Sequence, residues 1–194
     1  MVIGITGKSG SGKSTISRLF KEIDQSMQIV EIDKIGHKSH EDPLVKKQLL
    51  KDFGREIFNE DFTVNRKKLS EIVFSNKEKM DKLCDATIDY MEREVDKLIS
   101  KSSNIILDYA LLTEMKCFDK CDVKILVKSS YLMRSTRVKK RDNITSKKYD
   151  EIDANSLEYQ EDKFDYIINN TLDIKNLRKA VGEIYEKSFV SRKF

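Results

Sequence analysis

The stretch Gly7-Lys8-Ser9-Gly10-Ser11-Gly12-Lys13-Ser14-Thr15 matches the pattern G-x-x-x-x-G-K-S of a phosphate-binding loop. The residues before it, 1–6, are mostly apolar and rich in β-branched side chains, which predicts a buried parallel strand. After it, apolar residues recur at 16, 19, 20 and 23, the spacing of one helix face. A strand, a glycine-rich loop and a helix in this order are the context that the motif requires, so the sequence predicts a site for a nucleoside triphosphate.

Each residue type in this loop has a role in phosphate binding. Backbone N–H groups between the glycines can surround a phosphate chain at a helix N-terminus, where the helix dipole favours anions. Lys13 can reach the β- and γ-phosphates, and the Ser14 hydroxyl can bind Mg²⁺. We therefore expect nucleotide contacts from the run that closes the loop: Gly10, Ser11, Gly12, Lys13, Ser14 and Thr15.

Length and composition favour one ordinary domain. The chain has 194 residues, of which 39% are hydrophobic and 36% are charged, so we expect a single domain over 1–194. Its 37 basic and 33 acidic residues give a net charge of +4, and this balance is too even to indicate nucleic acid binding. The sequence has no apolar run of about 18 residues, so we expect no membrane span.

The cysteines and the N-terminal residues of the chain predict its cellular compartment. The chain has three cysteines, and Cys117 and Cys121 lie four residues apart with no histidine nearby, which indicates reduced thiols rather than a zinc site. Met1 leads directly into the first predicted strand, so we expect no signal peptide. The prediction is a cytoplasmic protein.

Strand-like and helix-like segments alternate along the chain, which predicts an α/β fold with a five-stranded parallel sheet and helices on both faces. After the first strand, further strands are expected at 28–32, 104–108, 123–127 and 165–169, with Asp33 at the end of the second. Helices are expected from Pro43 to Gly54, around 65–73, from Asn76 to about Ser100, up to Arg141, and at 177–185.

Two segments interrupt the plain alternation of strands and helices. The stretch from about 40 to 100 is nearly all helical and lies between the second and third strands, which predicts an inserted lobe for the phosphate acceptor of a small-molecule kinase. The segment from about 141 to 163 is polar, with little apolar periodicity. A surface loop has the same composition, but we favour a mobile lid because the segment carries arginine close to the phosphate site.

Two aspartates close predicted strands, where ligands bind in an open α/β sheet. Asp33 is predicted to accept or orient the proton of an attacking hydroxyl, and the alternative is an N-cap for the next helix. Asp108 could hold Mg²⁺, contact the acceptor or cap a helix, and the sequence does not separate these roles.

Three arginines share one face of the helix that ends at Arg141. Arg141 is the best candidate for stabilising the charge of a transferred phosphoryl group, and Arg137 is the second. Arg134 is expected only to solvate the helix surface. His37 and His40 are not part of a ligand pattern, so we expect both to face solvent.

The ordered set of motifs resembles the dephospho-CoA kinase family over nearly the full chain. The opening block 3–20 is followed by Glu31-Ile32-Asp33-Lys34-Ile35, which is similar to the family's D-A-D-x-I. Further blocks, given with the family pattern that each resembles, are 53–57 (F-G-x-x-I), 64–69 (L-D-R-x-x-L), 107–114 (L-D-x-P-L-L-F-E), 137–145 (R-x-x-x-R-D-G-x-S) and 164–170 (A-D-x-x-I-x-N). Many enzymes share the phosphate loop, whereas this ordered set is specific.

The resemblance implies a P-loop kinase of nucleotide-kinase-like fold, with a helical acceptor-binding insertion and a lid. Its expected reaction is transfer of the ATP γ-phosphate to the ribose 3′-hydroxyl of dephospho-CoA, with Mg²⁺. The implied partner is thus a small molecule, and we expect a monomer or a small homo-oligomer.

The resemblance also implies roles for individual residues. Asp33, Lys13 and Arg141 would be catalytic, and Arg137 would join the nucleotide site. The acceptor contacts would be Arg66, Asp108 and Leu111, and the Mg²⁺ ligands would be Ser14 and Asp108.

Departures from the family pattern lie on the acceptor side. Ile88-Asp89 stands in place of His-Pro, and Tyr109-Ala110 stands where a proline precedes Leu-Leu. Two alternatives therefore stay open, namely a nucleoside or nucleotide kinase of similar fold and a catalytically impaired nucleotide-binding homologue. A GTPase switch is disfavoured, since neither D-x-x-G after the third strand nor N-K-x-D occurs.

Overall fold

Five parallel strands form one sheet in a computed structural model that describes residues 1–74, 76–102, 104–170 and 173–190. The strands lie in the order β2-β3-β1-β4-β5, and their bounds are β1 Val2–Thr6, β2 Gln28–Glu31, β3 Ile105–Asp108, β4 Val123–Lys128 and β5 Tyr166–Asn169. The predicted five-stranded parallel sheet is confirmed. The prediction of a single domain over 1–194 includes residues 191–194, which lie outside the described residues.

Helices connect the strands in crossovers, as parallel pairing requires. They are α1 Lys13–Ile23, α2 Ile32–Ser39, α3 Pro43–Phe53, α4 Arg66–Val73, α5 Lys77–Lys101, α6 Tyr131–Asp142, α7 Ser146–Ala154 and α8 Ile174–Tyr185, which continues into a π-helical turn at Glu186–Val190. Short 3₁₀ turns lie at Arg55–Ile57, Leu112–Glu114, Lys116–Phe118 and Glu161–Lys163. In the described part of the chain, every helix is too short or too polar to cross a bilayer.

Each face of the sheet carries its own buried cluster. Successive strand residues point to opposite faces, so Ile3 and Ile5 of β1 pack with residues of α1 and α8, whereas Val2 packs on the other face with Val95 of α5. Each fully buried aliphatic side chain contributes about 1.5–3 kcal/mol to folding. The sheet is therefore held rigidly between two helical layers, and its carboxyl edge is a stable base for a site.

The segment between β2 and β3 forms a third cluster around α3, α4 and part of α5. Its buried members are Val45, Leu49, Phe53, Ile57, Phe58, Leu69 and Val73. Side-chain caps begin these helices: Asp42 accepts from Leu44 N at 2.9 Å, and Asn76 accepts from Lys79 N at 3.0 Å. The helix starts predicted at Pro43 and after Asn76 agree with this structure.

Two helices were not predicted. The second strand ends at Glu31, so the predicted end at Asp33 is wrong, and Asp33 lies in the first turn of α2. Helix α7 lies within the polar segment 141–163, where Tyr149 is fully buried and Thr145 caps the helix by accepting from Lys148 N at 3.2 Å. Both helices are short and present few apolar residues, so periodicity alone did not reveal them.

Candidate active site

The phosphate loop joins β1 to α1 and depends on glycine backbone conformations. Gly10 has φ 78° and Gly12 has φ 101°, in the region that side chains with a Cβ disfavour. Within the loop, Ser11 N donates to Lys8 O at 3.0 Å. Thr15 is half-buried in the first turn of α1, and its N–H donates to Gly12 O at 3.0 Å. The loop is thus a compact turn that ends in the N-terminus of α1.

Lys13 extends over this loop, and its Nζ donates to Gly7 O at 2.9 Å. Burial lowers the pKa of Lys13, whereas the negative charges of Asp108 and Asp33 act in the opposite direction. The charge of Arg141 also lowers it. Charged groups from α1, α2, β3 and α6 therefore interact at one edge of the sheet.

Asp108 lies at the centre of this edge. The strand register places it beside Ile5 of β1 and Glu31 of β2, and its side chain is buried. Ser17 Oγ, in the second turn of α1, donates to Asp108 Oδ2 at 3.3 Å. Burial raises the pKa of Asp108, although the Lys13 charge and the hydroxyls of Ser14 and Ser17 lower it in part. Ser17 was not predicted; a serine on the buried face of α1 is its only sequence signal.

Asp33 faces the same edge from α2. The residue is open to solvent, yet the protein around its carboxylate displaces enough water to raise its pKa. The positive charges of Lys13, His37 and Arg141 counteract this effect. Tertiary structure therefore brings Asp33 and Lys13 within electrostatic reach of one another.

Two predicted arginines lie at the periphery of the site. Arg141, exposed in the last turn of α6, donates from Nε and Nη2 to Asp142 at 2.6 and 2.7 Å. Its charge nevertheless acts on Asp33, so it belongs to the same edge. Arg66 begins α4, and its Nη2 donates to His37 O at 3.3 Å, which connects the insertion to the helix that carries Asp33.

Leu111 follows Asp108 in a segment that contacts Tyr159, a residue of the predicted lid at about 141–163. Thr6 Oγ1 donates to Ala110 O at 3.1 Å, and Tyr159 OH donates to the same oxygen at 2.7 Å. Leu111 itself is half-buried immediately after this anchored carbonyl. Tyr159 was not predicted, because nothing in the local sequence indicates a contact with a residue that is 49 positions away.

Arg137 contacts the phosphate loop itself, through the carbonyl oxygens of Gly10 and Ser11 at 2.9 and 3.3 Å. Asn170, the residue after β5, donates to Ser11 O at 2.8 Å. Asn170 was not assigned a role from the sequence. Its sequence signal is its place as the last residue of the block 164–170, which is similar to A-D-x-x-I-x-N.

The predictions for Arg134 and His40 are wrong. Arg134 is buried, donates from Nη1 to Tyr149 OH at 3.1 Å and forms a salt bridge with Asp153. His40 is half-buried with Nδ1 enclosed, and burial together with the charges of Arg66 and His37 lowers its pKa to about 4. His37 is exposed as predicted.

Comparisons with known proteins agree on one family. The family model for dephospho-CoA kinase matches residues 1–176. A dephospho-CoA kinase of Fusobacterium nucleatum is 32% identical over 96% of this chain and 97% of its own length. The Aquifex aeolicus dephospho-CoA kinase is 31% identical over 95% of this chain and 96% of its own.

Solved structures share the fold. A Thermus thermophilus protein has a TM-score of 0.77 at 21% identity, covering 96% of this chain and 97% of its own. Dephospho-CoA kinase from Campylobacter jejuni has a TM-score of 0.56 at 21% identity, covering 96% of each chain. Deoxyadenosine kinase from M. mycoides has a TM-score of 0.57 at 18% identity, covering 96% and 100%. The chain is a P-loop kinase that uses ATP, and it belongs to the dephospho-CoA kinase family.

Proposed function

We propose that this chain transfers the γ-phosphate of ATP to the ribose 3′-hydroxyl of dephospho-CoA. The observation that supports this most is the electrostatic interaction of Lys13 with Asp33 and Asp108 at the carboxyl edge of the sheet, in a chain of this family. Phosphoryl transfer needs this combination, because catalysis comes mainly from positioning and charge stabilisation.

Asp33 is the proposed base or orienting group for the attacking hydroxyl. Its raised pKa makes the carboxylate a better proton acceptor than an ordinary aspartate, while the nearby charge of Lys13 favours its ionised form. Lys13 and Arg141 would stabilise the charge that spreads over the transferred group.

The nucleotide site would comprise residues 10–15 and Arg137. Ser14 and Asp108 fit a magnesium ion, because they present adjacent hydroxyl and carboxylate oxygens, the hard donors that Mg²⁺ prefers. When bound, the ion would neutralise charge on the β- and γ-phosphates. The Ser14 and Ser17 hydroxyls both donate to the buried Asp108 carboxylate, which places Ser14 next to it.

The acceptor would lie between α2, the insertion at about 40–100 and the segment after β3. Arg66, Asp108 and Leu111 are the proposed contacts, since they border the edge that carries Asp33. The segment at about 141–163 would close over the nucleotide as a lid. Lid closure excludes water, which would otherwise compete with the acceptor hydroxyl.

The cysteines support a proposed cytoplasmic location. All three are free thiols, and burial raises the pKa of Cys117 and Cys121 to about 12. Free cysteines without a disulfide are typical of proteins in a reducing compartment.

A coupled ATP-consumption assay with Mg²⁺ tests the proposed function. Dephospho-CoA is offered beside adenosine, AMP, uridine, deoxyadenosine and shikimate, the last two because the structural neighbours include kinases named for them. We expect turnover with dephospho-CoA alone. Turnover with a nucleoside or with shikimate instead would reassign the acceptor. Lys13→Ala is the matched inactive control, and its rate should fall by about 100-fold or more.

A further inference from the structure

Two side chains from distant parts of the chain hold carbonyl groups of the phosphate loop. Arg137 Nη1 donates to Gly10 O at 2.9 Å and to Ser11 O at 3.3 Å. Asn170 Nδ2 donates to Ser11 O at 2.8 Å. The two side chains are themselves joined, because Arg137 Nη2 donates to Asn170 Oδ1 at 3.4 Å. The loop peptide is therefore held by a linked pair of donors from α6 and the end of β5.

Peptide geometry determines what these contacts achieve. In a trans peptide, the C=O of one residue and the N–H of the next point in opposite directions. Because Ser11 O is held toward Asn170, the N–H of Gly12 is directed to the opposite side of that peptide. In the same way, the contact with Gly10 O directs the N–H of Ser11, which donates to Lys8 O at 3.0 Å. The contact on Gly10 O thus supports the turn between Lys8 and Ser11, and the contacts on Ser11 O orient the Gly12 amide.

Asn170 also packs against the start of α1. A Cβ built at Gly12 would come 2.0 Å from Asn170 Nδ2, so the amide occupies the space beside this glycine. The side chain therefore limits the conformations of Gly12 as well as the orientation of Ser11 O.

In these contacts the Arg137 guanidinium does not form a salt bridge with a carboxylate. Its acceptors are the uncharged groups Gly10 O, Ser11 O, Ser129 Oγ and Asn170 Oδ1. Guanidinium stays protonated at neutral pH. A positive charge next to the loop adds to the field that attracts a polyphosphate.

We propose that Arg137 and Asn170 are positioning residues that hold the turn of the phosphate loop and orient the Gly12 amide for the polyphosphate of the nucleotide. Their effect on the ligand passes through the peptide that follows Ser11, and it is directed at phosphate rather than at the base. The inference rests on the proposed nucleotide site, and it specifies which side chains pre-organise the backbone of that site.

Titration calorimetry of the full chain with ATP and with inorganic tripolyphosphate, both with Mg²⁺, tests this inference. Asn170→Asp keeps the acceptor for Arg137 but places a carboxylate oxygen opposite Ser11 O, where the donor was. We expect both ligands to bind about tenfold more weakly, by the same factor. Unchanged binding of tripolyphosphate, or a loss seen with ATP alone, would overturn the inference.

Arg137→Lys provides a second variant, and it is to be compared with Arg137→Ala. Lysine keeps the charge but lacks the planar fork that reaches Gly10 O, Ser11 O and Asn170 Oδ1 together, so it should lose most of the tripolyphosphate affinity that alanine loses. Wild-type affinity in Arg137→Lys would show that the charge alone acts, and it would contradict positioning through hydrogen bonds. In steady-state assays, the KM for ATP should rise while the KM for the acceptor stays unchanged, whereas general structural damage would raise both.

Asn169→Asp is the matched control, since Asn169 is the exposed neighbour at the end of the same strand. It should bind both ligands as the wild type does, and a loss equal to that of Asn170→Asp would overturn the inference. Neither titration contains an acceptor. If the wild type bound ATP but failed to phosphorylate dephospho-CoA, the proposed function would fail while the positioning role would still be decided by the variants.

Discussion

The guanidinium of Arg134 on α6 lies 3.1 Å from the hydroxyl of Tyr149 on α7, and it also forms a salt bridge with Asp153 on the same helix. The side chain of Arg134 is only 10% exposed and that of Asp153 only 18%. Helix α7 is therefore attached to α6 by a charge pair that is largely withdrawn from water, and the two helices form one unit at the start of the proposed lid.

Arg134→Ala should destabilise the protein, because it leaves the Asp153 carboxylate without its partner. Loss of one member of a buried pair costs about 3–5 kcal/mol, and the residual exposure places this pair near the lower figure. Urea denaturation measures the change in the free energy of unfolding. Arg141→Ala breaks the exposed Arg141–Asp142 pair and should change it by about 0–1 kcal/mol. Equal effects of the two variants would show that the pair on α7 has no special stabilising role.

Asp33→Asn should lower kcat by about 100-fold or more, since the amide cannot accept the proton of the attacking hydroxyl. The raised pKa of Asp33 means that the wild-type rate falls on acidification at a higher pH than an ordinary aspartate would give. Steady-state kinetics from pH 5 to 9 measures both effects. Glu41→Gln removes an exposed carboxylate of the neighbouring turn and serves as the control. Near-wild-type turnover of Asp33→Asn at neutral pH would exclude Asp33 as the base.

Asp108→Asn should raise thermal stability at pH 8 while it lowers activity. The pKa of Asp108 in the folded chain lies above the ordinary value of 3.8, so above that pH the folded chain holds more protons than the unfolded chain. The free energy of unfolding therefore falls as the pH rises from 3.8 past the pKa of Asp108 in the folded chain, and it stays lower at higher pH. Differential scanning calorimetry should show that the variant's advantage disappears below about pH 4. A variant that unfolds at a lower temperature than the wild type at pH 8 would contradict this sign.

His40→Gln should make the protein less sensitive to acid. The pKa of His40 is about 4 in the folded chain and 6.5 in the reference state, so the unfolded chain binds more protons between these values. The folded state consequently loses stability as the pH falls from 6.5 to 4. Unfolding midpoints in urea across this range should decline less steeply in the variant. The exposed His37→Gln is the control. An identical decline of the unfolding midpoint with pH in the wild type and in His40→Gln would contradict the lowered pKa of His40.

Gly12→Ala should abolish ATP binding, because its Cβ would come 2.0 Å from Asn170 Nδ2 at a φ of 101°. Gly182→Ala is the matched substitution in α8, where a Cβ would meet nothing within 4 Å. This second variant should gain about 0.5–1 kcal/mol of stability from helix propensity and keep full binding. Calorimetric ATP titration and thermal unfolding measure the two quantities, and normal ATP binding by Gly12→Ala would contradict the close contact.

Local patterns were sufficient to predict the scaffold. The phosphate loop was recognisable because its glycines, Lys13 and Ser14 are adjacent in the chain and are flanked by a strand and a helix. The start of α3 was equally clear, because the N-cap Asp42 and the first helical residue Pro43 are adjacent in the sequence. Helix α2 was missed, since its eight residues are too few for a clear apolar period. Helix α7 was missed for a similar reason, with Tyr149 as its only buried residue.

The sequence by itself determined the parallel sheet, the phosphate loop and the family, because each of these depends on residues that are neighbours in the chain or on an ordered series of motifs. Only the tertiary structure decided that Arg134 anchors α7 and that Arg137 and Asn170 hold the loop. These contacts join Ser11 to residues 126 and 159 positions away. These contacts form because the strand order and the crossovers bring α6 and the end of β5 beside the loop. A pattern of neighbouring residues in the sequence does not predict that proximity.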